Sequence, residues 1–351
     1  MLFRDLTYEQ CLAQGIGPLV FPERLSVSDA HSAYSDEERA KMKTVCVQTI
    51  QNQVKLQHTL TVAWHALEEA GIHAVLMKGA GLAALYPSPE MRYWGDIDLF
   101  VGKAQYHPAC AVMRATFPDA PRFDEELDHY KHYNLIPDGV SIEVHRVSVA
   151  LTHPRDVRRF EKIEEFGMSN GEWLEVNGER FKVPEPTFNA LLVFLHSWEH
   201  VMSGGACLRQ WYDLTMVLHR YKDKIDRERL ARWLRQLHLM EVWQLYAYNQ
   251  VYCLGLSRNE SVFYTDSVAP RAERLLDDLL SGRIAEPNEN AKKNESSLSR
   301  NRFVRKWRTM QQRMAQADRI ANYSPSYARH MKWAVLLSGA KRLFAKDRHW
   351  E

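Results

Sequence analysis

The stretch Gly95-Asp-Ile-Asp-Leu-Phe-Val101 decides the fold. On a strand, alternate side chains point to opposite faces, so Asp96 and Asp98 share one face while Ile97 and Leu99 share the other. The apolar pair can anchor the strand in a core while the two carboxylates stay together. Like charges this close raise each other's pKa unless a cation lies between them. The stretch therefore predicts a strand that carries a divalent-cation site, and oxygen ligands favour Mg²⁺ or Mn²⁺.

A glycine-rich turn precedes this strand. Lys78-Gly79-Ala80-Gly81 follows a short apolar run over 73–77, which predicts a buried strand, and opens a helical piece over 82–86. Glycines let the backbone approach a phosphate, and the N-terminus of a helix favours anions. Lys78 and Arg92 can add positive charge toward a triphosphate. The turn is therefore a candidate nucleotide-binding element, although Arg92 could equally pair with Asp96 or Glu90.

A third carboxylate follows in Ser141-Ile-Glu-Val-His145, where Glu143 and His145 share one face of an alternating strand. The segment 130–136 and the turn Pro137-Asp138-Gly139 predict a β-hairpin with this strand. If the strand lies beside the Asp96 strand, three carboxylates converge. Three carboxylates and nucleotide phosphates can hold two metal ions, the arrangement that an in-line phosphoryl displacement uses.

The rest of the chain predicts an α+β fold in which a mixed sheet with helices is followed by a mostly α-helical domain. A capping box of Ser35 and Glu38 begins a helix over 35–70, and Asn177-Gly178 predicts a type I′ hairpin. The predicted division is an N-terminal segment 1–35, a sheet domain 36–186, a helical domain 187–280, a polar linker 281–300 and a basic helical tail 301–351. Helical patterns of the second domain cover 188–203, 208–221, 227–237, 240–254 and 269–280.

These motifs resemble the signature of the uncharacterised bacterial nucleotidyltransferase family, a divergent branch of the polymerase-beta-like nucleotidyltransferase superfamily. The resemblance covers roughly residues 40–220 and rests on the Lys-Gly turn at Lys78, Arg92, the Asp-x-Asp strand and Glu143-Val-His145, where the family often has Asp. It also includes His196, His200 and the run Leu208-Arg-Gln-Trp-Tyr-Asp213. One departure is that the superfamily's Gly-Ser turn is replaced by Gly79-Ala80, which removes a hydroxyl that could bind a phosphate oxygen.

The resemblance implies a nucleotidyltransferase fold and transfer of a nucleoside monophosphate from an NTP to a hydroxyl, with release of pyrophosphate. Asp96, Asp98 and Glu143 would be the catalytic and metal-binding residues. Lys78, Gly79, Ala80, Gly81 and Arg92 would bind the nucleotide. The expected acceptor is a small molecule or sugar. The alternatives are a nucleotidyltransferase that modifies a protein or a nucleic acid, and a catalytically inactive NTP-binding module.

Two pairs on the predicted helices have competing interpretations. His196-Ser-Trp-Glu-His200 spells the H-x-x-E-H pattern of inverted zinc proteases, but no third ligand is obvious, and a structural or cleft-lining pair is favoured. Arg209 and Asp213 lie four residues apart on a helix. They either form an ordinary salt bridge or line the cleft, as His145 would.

Composition limits the class of protein. The 351 residues are 45% hydrophobic with a formal net charge of only +2, which indicates a globular chain without overall nucleic-acid character. Arg300–Arg348, however, holds thirteen Lys or Arg and two acids, a net of +11. This tail could contact nucleic acid or an anionic membrane surface, but packing of its aromatic residues is favoured. Five scattered cysteines, and an N-terminus unlike a signal peptide, favour the cytoplasm.

Overall fold

The computed structural model describes residues 3, 5–27, 34–122, 127, 129–151, 153–285 and 302–344. Contacts between Cα atoms divide the chain into two units: a sheet unit, Leu2–Val149 with Gly167–Asn189, and a helical unit, Ala150–Phe166 with Ala190–His349. The elements are, in chain order, α1 (Tyr8–Ala13), α2 (Gly17–Ser26), α3 (Asp36–Glu69), β1 (Val75–Met77), α4 (Gly79–Ala83), β2 (Asp96–Phe100), α5 (Gly102–Thr116), β3 (His132–Leu135), β4 (Ser141–His145), α6 (Pro154–Ser169), β5 (Glu172–Val176), β6 (Glu179–Val183), α7 (Pro186–Ser203), α8 (Leu208–Arg220), α9 (Arg227–Gln236), α10 (Met240–Tyr252), α11 (Ala269–Leu280), α12 (Arg302–Ile320) and α13 (Pro325–Phe344).

A four-stranded mixed sheet, ordered β1-β2-β4-β3, forms the centre of the sheet unit. Strand β2 pairs antiparallel with β1 and parallel with β4, and β4 pairs antiparallel with β3. The parallel register places Asp98 opposite Glu143 and Asp96 opposite Ser141. The predicted α+β fold is confirmed, and the predicted strand pair that brings the carboxylates together is present.

The apolar side chains of β2 and β4 anchor the sheet. Ile97, Leu99, Ile142 and Val144 are completely buried, in one cluster with side chains of α3 and α5. Truncating Ile97 to Ala would remove packed methylene groups and leave a cavity, at a cost of about 2–5 kcal/mol. Because the apolar residues hold one face of each strand in this core, the alternating Asp96, Asp98 and Glu143 are directed to the other face.

Local signals in the sequence act as predicted in the sheet unit. The Ser35 hydroxyl accepts the Glu38 amide hydrogen, and the Glu38 carboxylate accepts the Ser35 amide, so both halves of the capping box form at the start of α3. Asn177 and Gly178 both have positive φ, 52° and 83°, as a type I′ turn between β5 and β6 requires. Helix α6 was missed, although Val157, Phe160, Ile163 and Phe166 recur along it at helical spacing.

The helical unit packs α7 to α11 around large aromatic side chains, among them the completely buried Trp198, Trp211 and Trp243. These five helices agree with the predicted ones to within two residues at each end. The Glu241 carboxylate accepts hydrogen bonds from Arg271, Ser324 and Ser326. That cluster connects α10 and α11 to the start of α13.

The basic tail forms α12 and α13, and its aromatic residues divide into two groups. Tyr323 is buried and Tyr327 packs edge-on against Trp198, as expected. Trp307 and Trp333 are 56% and 64% exposed, so the prediction that the aromatic residues pack is wrong for these two. Of the predicted polar linker, residues 286–300 lie outside the described residues. No helix of the described chain combines the length and hydropathy that a membrane crossing requires.

Candidate active site

Asp98 is the buried centre of the charged face. Its Oδ1 lies 2.9 Å from Lys78 Nζ and 2.9 Å from His145 Nε2, and the side chain is completely buried. Its Oδ2 is also buried, and no described residue gives it a hydrogen bond. A buried, charged oxygen without a partner costs free energy, so this atom marks a place where a cation would bind favourably.

Glu143 lies next to Asp98 across the β2–β4 register. Its Oε2 is 3.0 Å from His145 Nε2 and 3.4 Å from His132 Nδ1, and 22% of its side chain is exposed. His145 therefore holds one oxygen of each carboxylate. The structure thus brings together Asp98, Glu143, His145 and Lys78, with Asp96 on the same face of β2 and partly exposed.

The pKa values in this cluster follow from its opposed charges. Burial alone would raise the pKa of Asp98, but the Lys78 ammonium and the bond from His145 hold it well below its usual range. Burial alone would lower the pKa of Lys78 and of His145, yet the neighbouring carboxylates raise both. Burial lowers the pKa of His132 to about 4, despite the nearby Glu143. The carboxylates therefore favour the protonated forms of Lys78 and His145, and these two side chains favour the ionised forms of the carboxylates.

The turn after β1 has an unusual backbone. Lys78 adopts φ 51° and ψ −135°, a conformation that a residue with a Cβ rarely takes and that costs about 1–3 kcal/mol. Gly79 also has positive φ, 39°, and a Cβ there would lie 3.2 Å from the Trp94 ring. Strain of this kind persists where surrounding structure enforces it, commonly at functional sites. Here it accompanies the pairing of Lys78 with Asp98.

Arg92 supports this turn from within the unit. It is buried, and its Nη1 donates to the carbonyl of Gly79 at 3.1 Å, while Gln53 Nε2 donates to the Arg92 carbonyl at 3.1 Å. This placement gives Arg92 a role in shaping the turn, and its contact with a nucleotide stays a prediction. Helix α4 is only five residues long, so its dipole is small and Lys78 is the stronger source of positive charge.

The other candidates lie in the helical unit. His196 and His200 stand one turn apart on α7, with ring centroids 4.5 Å apart and edge to face. Arg209 and Asp213 lie on α8, and Asp213 is buried. Within the described residues, neither His196 nor His200 belongs to a group of three side chains that could together bind a metal ion. The protease interpretation therefore gains no third ligand. The cleft-lining roles of these residues stay predictions.

His132 is a member of the site that sequence reasoning missed. The antiparallel register of β3 and β4 places it opposite His145, and the two ring centroids are 5.0 Å apart. The signal was available, because a hairpin closed by Pro137–Gly139 fixes which residues face each other. His132, Glu143 and His145 offer ligand atoms within 4.8 Å of one another.

Comparison with known proteins identifies the family. A model described as an uncharacterised nucleotidyltransferase matches residues 5–254, well over half of the chain. The chain belongs to this uncharacterised nucleotidyltransferase family. The protein is accordingly a nucleotidyltransferase, of a class that generally uses an NTP and a divalent metal. No curated protein matches the chain.

The nucleotidyltransferase is also similar to a solved structure. This is an antigenic nucleotidyltransferase-like protein from Paracoccidioides brasiliensis, with 15% identity and a TM-score of 0.37. The match covers 61% of this chain and 95% of that chain. At this level of similarity it carries no argument about the site.

The residues of this candidate site fit a divalent cation. Asp96, Asp98 and Glu143 offer the hard oxygen ligands that Mg²⁺ and Mn²⁺ prefer. The buried Oδ2 of Asp98 has no hydrogen-bond partner within the described chain, and the β2–β4 register places the carboxylates of Asp98 and Glu143 side by side. A divalent ion would bind this oxygen and reduce the repulsion between the two carboxylates.

Proposed function

We propose that this nucleotidyltransferase moves a nucleoside monophosphate from an NTP to a hydroxyl of a small molecule or sugar. The observation that carries the proposal is the meeting of Asp98 and Glu143 across the β2–β4 register, with Asp96 on the same face and Lys78 bound to Asp98. Carboxylates gathered beside an ammonium group suit phosphoryl transfer, in which the protein contributes mainly positioning and electrostatic stabilisation.

The reaction requires one bond to form and one to break. The acceptor hydroxyl oxygen attacks the α-phosphorus of the NTP, and the bond from that phosphorus to the α,β-bridging oxygen breaks. Pyrophosphate leaves with the electron pair of the broken bond. We assign the hydroxyl proton to the Glu143 carboxylate, which is partly exposed and carries a lowered pKa because the bond from His145 outweighs its burial.

Asp96, Asp98 and Glu143 would hold Mg²⁺ or Mn²⁺. The bound ion would supply positive charge to the phosphates and polarise a phosphoryl oxygen. His145 is a positioning residue in this scheme, because its Nε2 holds Asp98 Oδ1 and Glu143 Oε2 together at 2.9 and 3.0 Å. A carboxylate pair fixed in this way needs no rearrangement before the reaction.

Lys78 and the backbone of Gly79, Ala80 and Gly81 would hold the triphosphate. Since Ala80 offers no hydroxyl, the charge of Lys78 and the backbone amides have to provide this binding. Lys78 is 2.9 Å from Asp98, and 14% of its side chain is exposed, so its ammonium group lies at the edge of the charged cluster. The bond from Arg92 to Gly79 keeps the turn in shape.

Nucleic acid is the second candidate acceptor, and the exposed aromatics of the basic tail favour it. Trp307 and Trp333 are more than half exposed on helices rich in Lys and Arg. Exposed aromatic rings among basic residues are typical of surfaces on which unpaired bases stack. A protein acceptor has no comparable observation in its favour.

A labelling experiment tests the proposal. The purified protein is incubated with each NTP labelled at the α-phosphate, with Mg²⁺ or Mn²⁺, and with a cell extract separated into small molecules, RNA and protein. Label in the small-molecule fraction supports the proposal, provided that Asp96→Asn abolishes it. Label in RNA or protein would show that the acceptor belongs to that class instead. Metal-dependent NTP binding without any transfer would identify an inactive binding module.

A further inference from the structure

A second group of side chains that could bind a metal ion lies in the helical unit, where α6 begins. His153 immediately precedes α6, Asp156 lies in its first turn, and His330 comes from α13, 174 residues after Asp156. One ligand atom from each of the three lies within 4.8 Å of the others. Their side chains are 12%, 8% and 16% exposed, so the group is largely shielded from water.

The two oxygens of Asp156 are divided between the two imidazoles. His330 Nε2 lies 2.5 Å from Oδ2, and His153 Nδ1 lies 3.8 Å from Oδ1. Two imidazole nitrogens and one carboxylate oxygen form a ligand set typical of zinc and related transition metals, with a further position open to water. We propose that His153, Asp156 and His330 bind a divalent transition metal of the zinc class, at a site separate from the carboxylates of the sheet unit.

Neighbouring side chains support this arrangement. The His238 ring stacks on His330 with centroids 4.0 Å apart, and His238 has φ +60°, a conformation that costs free energy for a residue other than glycine. The stacking fixes the orientation of the His330 ring. An ordinary ion pair would need only Asp156 and His330. It would not account for His153, whose ring centroid is 4.8 Å from that of His330.

Three existing contacts compete with a metal, and each can give way. The first is the hydrogen bond between His330 Nε2 and Asp156 Oδ2, which two coordinate bonds to the metal would replace. Arg159 Nη1 is 3.4 Å from Asp156 Oδ1, but it also donates to the Gln236 carbonyl at 2.7 Å, and its side chain is 43% exposed. It can keep the second bond while it leaves Asp156. His153 Nδ1 accepts the Arg155 amide at 3.2 Å, a bond that a metal would replace.

The site would connect the first turn of α6 to α13 inside the helical unit. Two segments distant in the sequence, one of them in the basic tail, would then be fixed by coordinate bonds. Metal that binds the folded protein alone stabilises it in proportion to the logarithm of the ratio of concentration to Kd. The inference is independent of the nucleotidyl transfer and of its metal.

The experiment titrates EDTA-treated protein with Zn²⁺ and measures affinity by competition with a chromophoric chelator. All proteins carry Glu143→Gln, which weakens metal binding by the other group of ligands, His132, Glu143 and His145. His153→Ala is the main variant. In the metal-free protein His153 Nδ1 is 3.8 Å from Asp156 Oδ1, so the loss of this side chain should disturb the fold little. We expect its Kd for Zn²⁺ to rise more than about 100-fold, since loss even of groups that only support a ligand typically costs 10–100-fold. His200→Ala, a histidine of α7 in the same unit, is the matched control and should bind like the parent.

Thermal unfolding provides a second readout. At Zn²⁺ about 100-fold above its Kd, the parent should be stabilised by about 2.7 kcal/mol, which for 351 residues is a gain of about 4 °C in Tm. His153→Ala should gain none, and the metal-free proteins should unfold at the same Tm. His330→Ala should also lose binding, and His153→Ala keeps the test decisive if His330→Ala fails to fold. Zinc that binds equally well to the parent and to His153→Ala, or binds only at millimolar concentration, would overturn the proposal.

Discussion

Replacing Glu143 with Gln removes one negative charge and keeps the shape of the side chain. The amide oxygen of Gln can still accept the hydrogen bond that His145 Nε2 now gives to Oε2 at 3.0 Å. Asp98 keeps its bonds to Lys78 and His145, and the strand register is unaffected. The substitution therefore tests the charge and basicity of this carboxylate with little change in structure.

The expected loss of activity follows from the carboxylates that the variant keeps. Three carboxylates face the proposed cation, and the variant keeps Asp96 and Asp98, so binding of the NTP with its metal should change little. The lost functions are a ligand charge and the acceptor of the hydroxyl proton, and both act mainly in the transition state. General-base catalysis contributes about 10²–10⁴-fold. A fall in kcat of at least about 100-fold, or about 2.7 kcal/mol, is therefore expected, with KM for the NTP within about threefold.

The assay measures pyrophosphate release with the acceptor found by labelling, over a range of NTP concentrations. Glu69→Gln is the matched control, because it makes the same chemical change at an exposed position of α3 in the same unit. It should keep full activity. The reasoning is refuted if Glu143→Gln keeps kcat within about threefold, or if its whole effect lies in KM.

Three further results are expected. Asp96→Asn should abolish transfer while the protein stays folded. Asp98→Asn should also lower the free energy of unfolding by about 3–5 kcal/mol, because it leaves the largely buried Lys78 ammonium group without its counter-charge. Denaturant titration separates the two variants. Gly79→Ala and Gly178→Ala both force Ala into positive φ, at about 1–2 kcal/mol each, but only Gly79→Ala should lower NTP affinity, measured by equilibrium binding. Burial alone would raise the pKa of Glu241, but its hydrogen bonds, first that from Arg271, lower it. The ionised carboxylate therefore stabilises the fold at neutral pH, and this stabilisation is lost as the pH falls through the pKa of the folded state. Glu241→Gln should therefore lower Tm at pH 7, and its Tm should approach that of the parent in acid.

Much of the sheet unit was predictable because its signals are local. The Ser35–Glu38 capping box, the Asn177-Gly178 turn and the alternation in β2 and β4 each depend on neighbouring residues, whose geometry the backbone fixes. Helix α6 was missed although its signal is also local, since its apolar residues recur at every third position among charged ones. The exposure of Trp307 and Trp333 was missed because apolar character alone does not show which helix face finds a partner.

From the sequence alone it follows that Asp96 and Asp98 share one face of their strand, that Glu143 and His145 share one face of theirs, and that a glycine turn follows β1. These follow from the period of two along a strand and from the freedom of glycine at positive φ. Tertiary packing brings β2 and β4 side by side, so that His145 joins Asp98 to Glu143, and it places Arg92 in a buried position from which it shapes the turn. It likewise decided the meeting of Asp156 with His330. Contacts between residues distant in the sequence depend on how whole elements pack, and no local pattern encodes that packing.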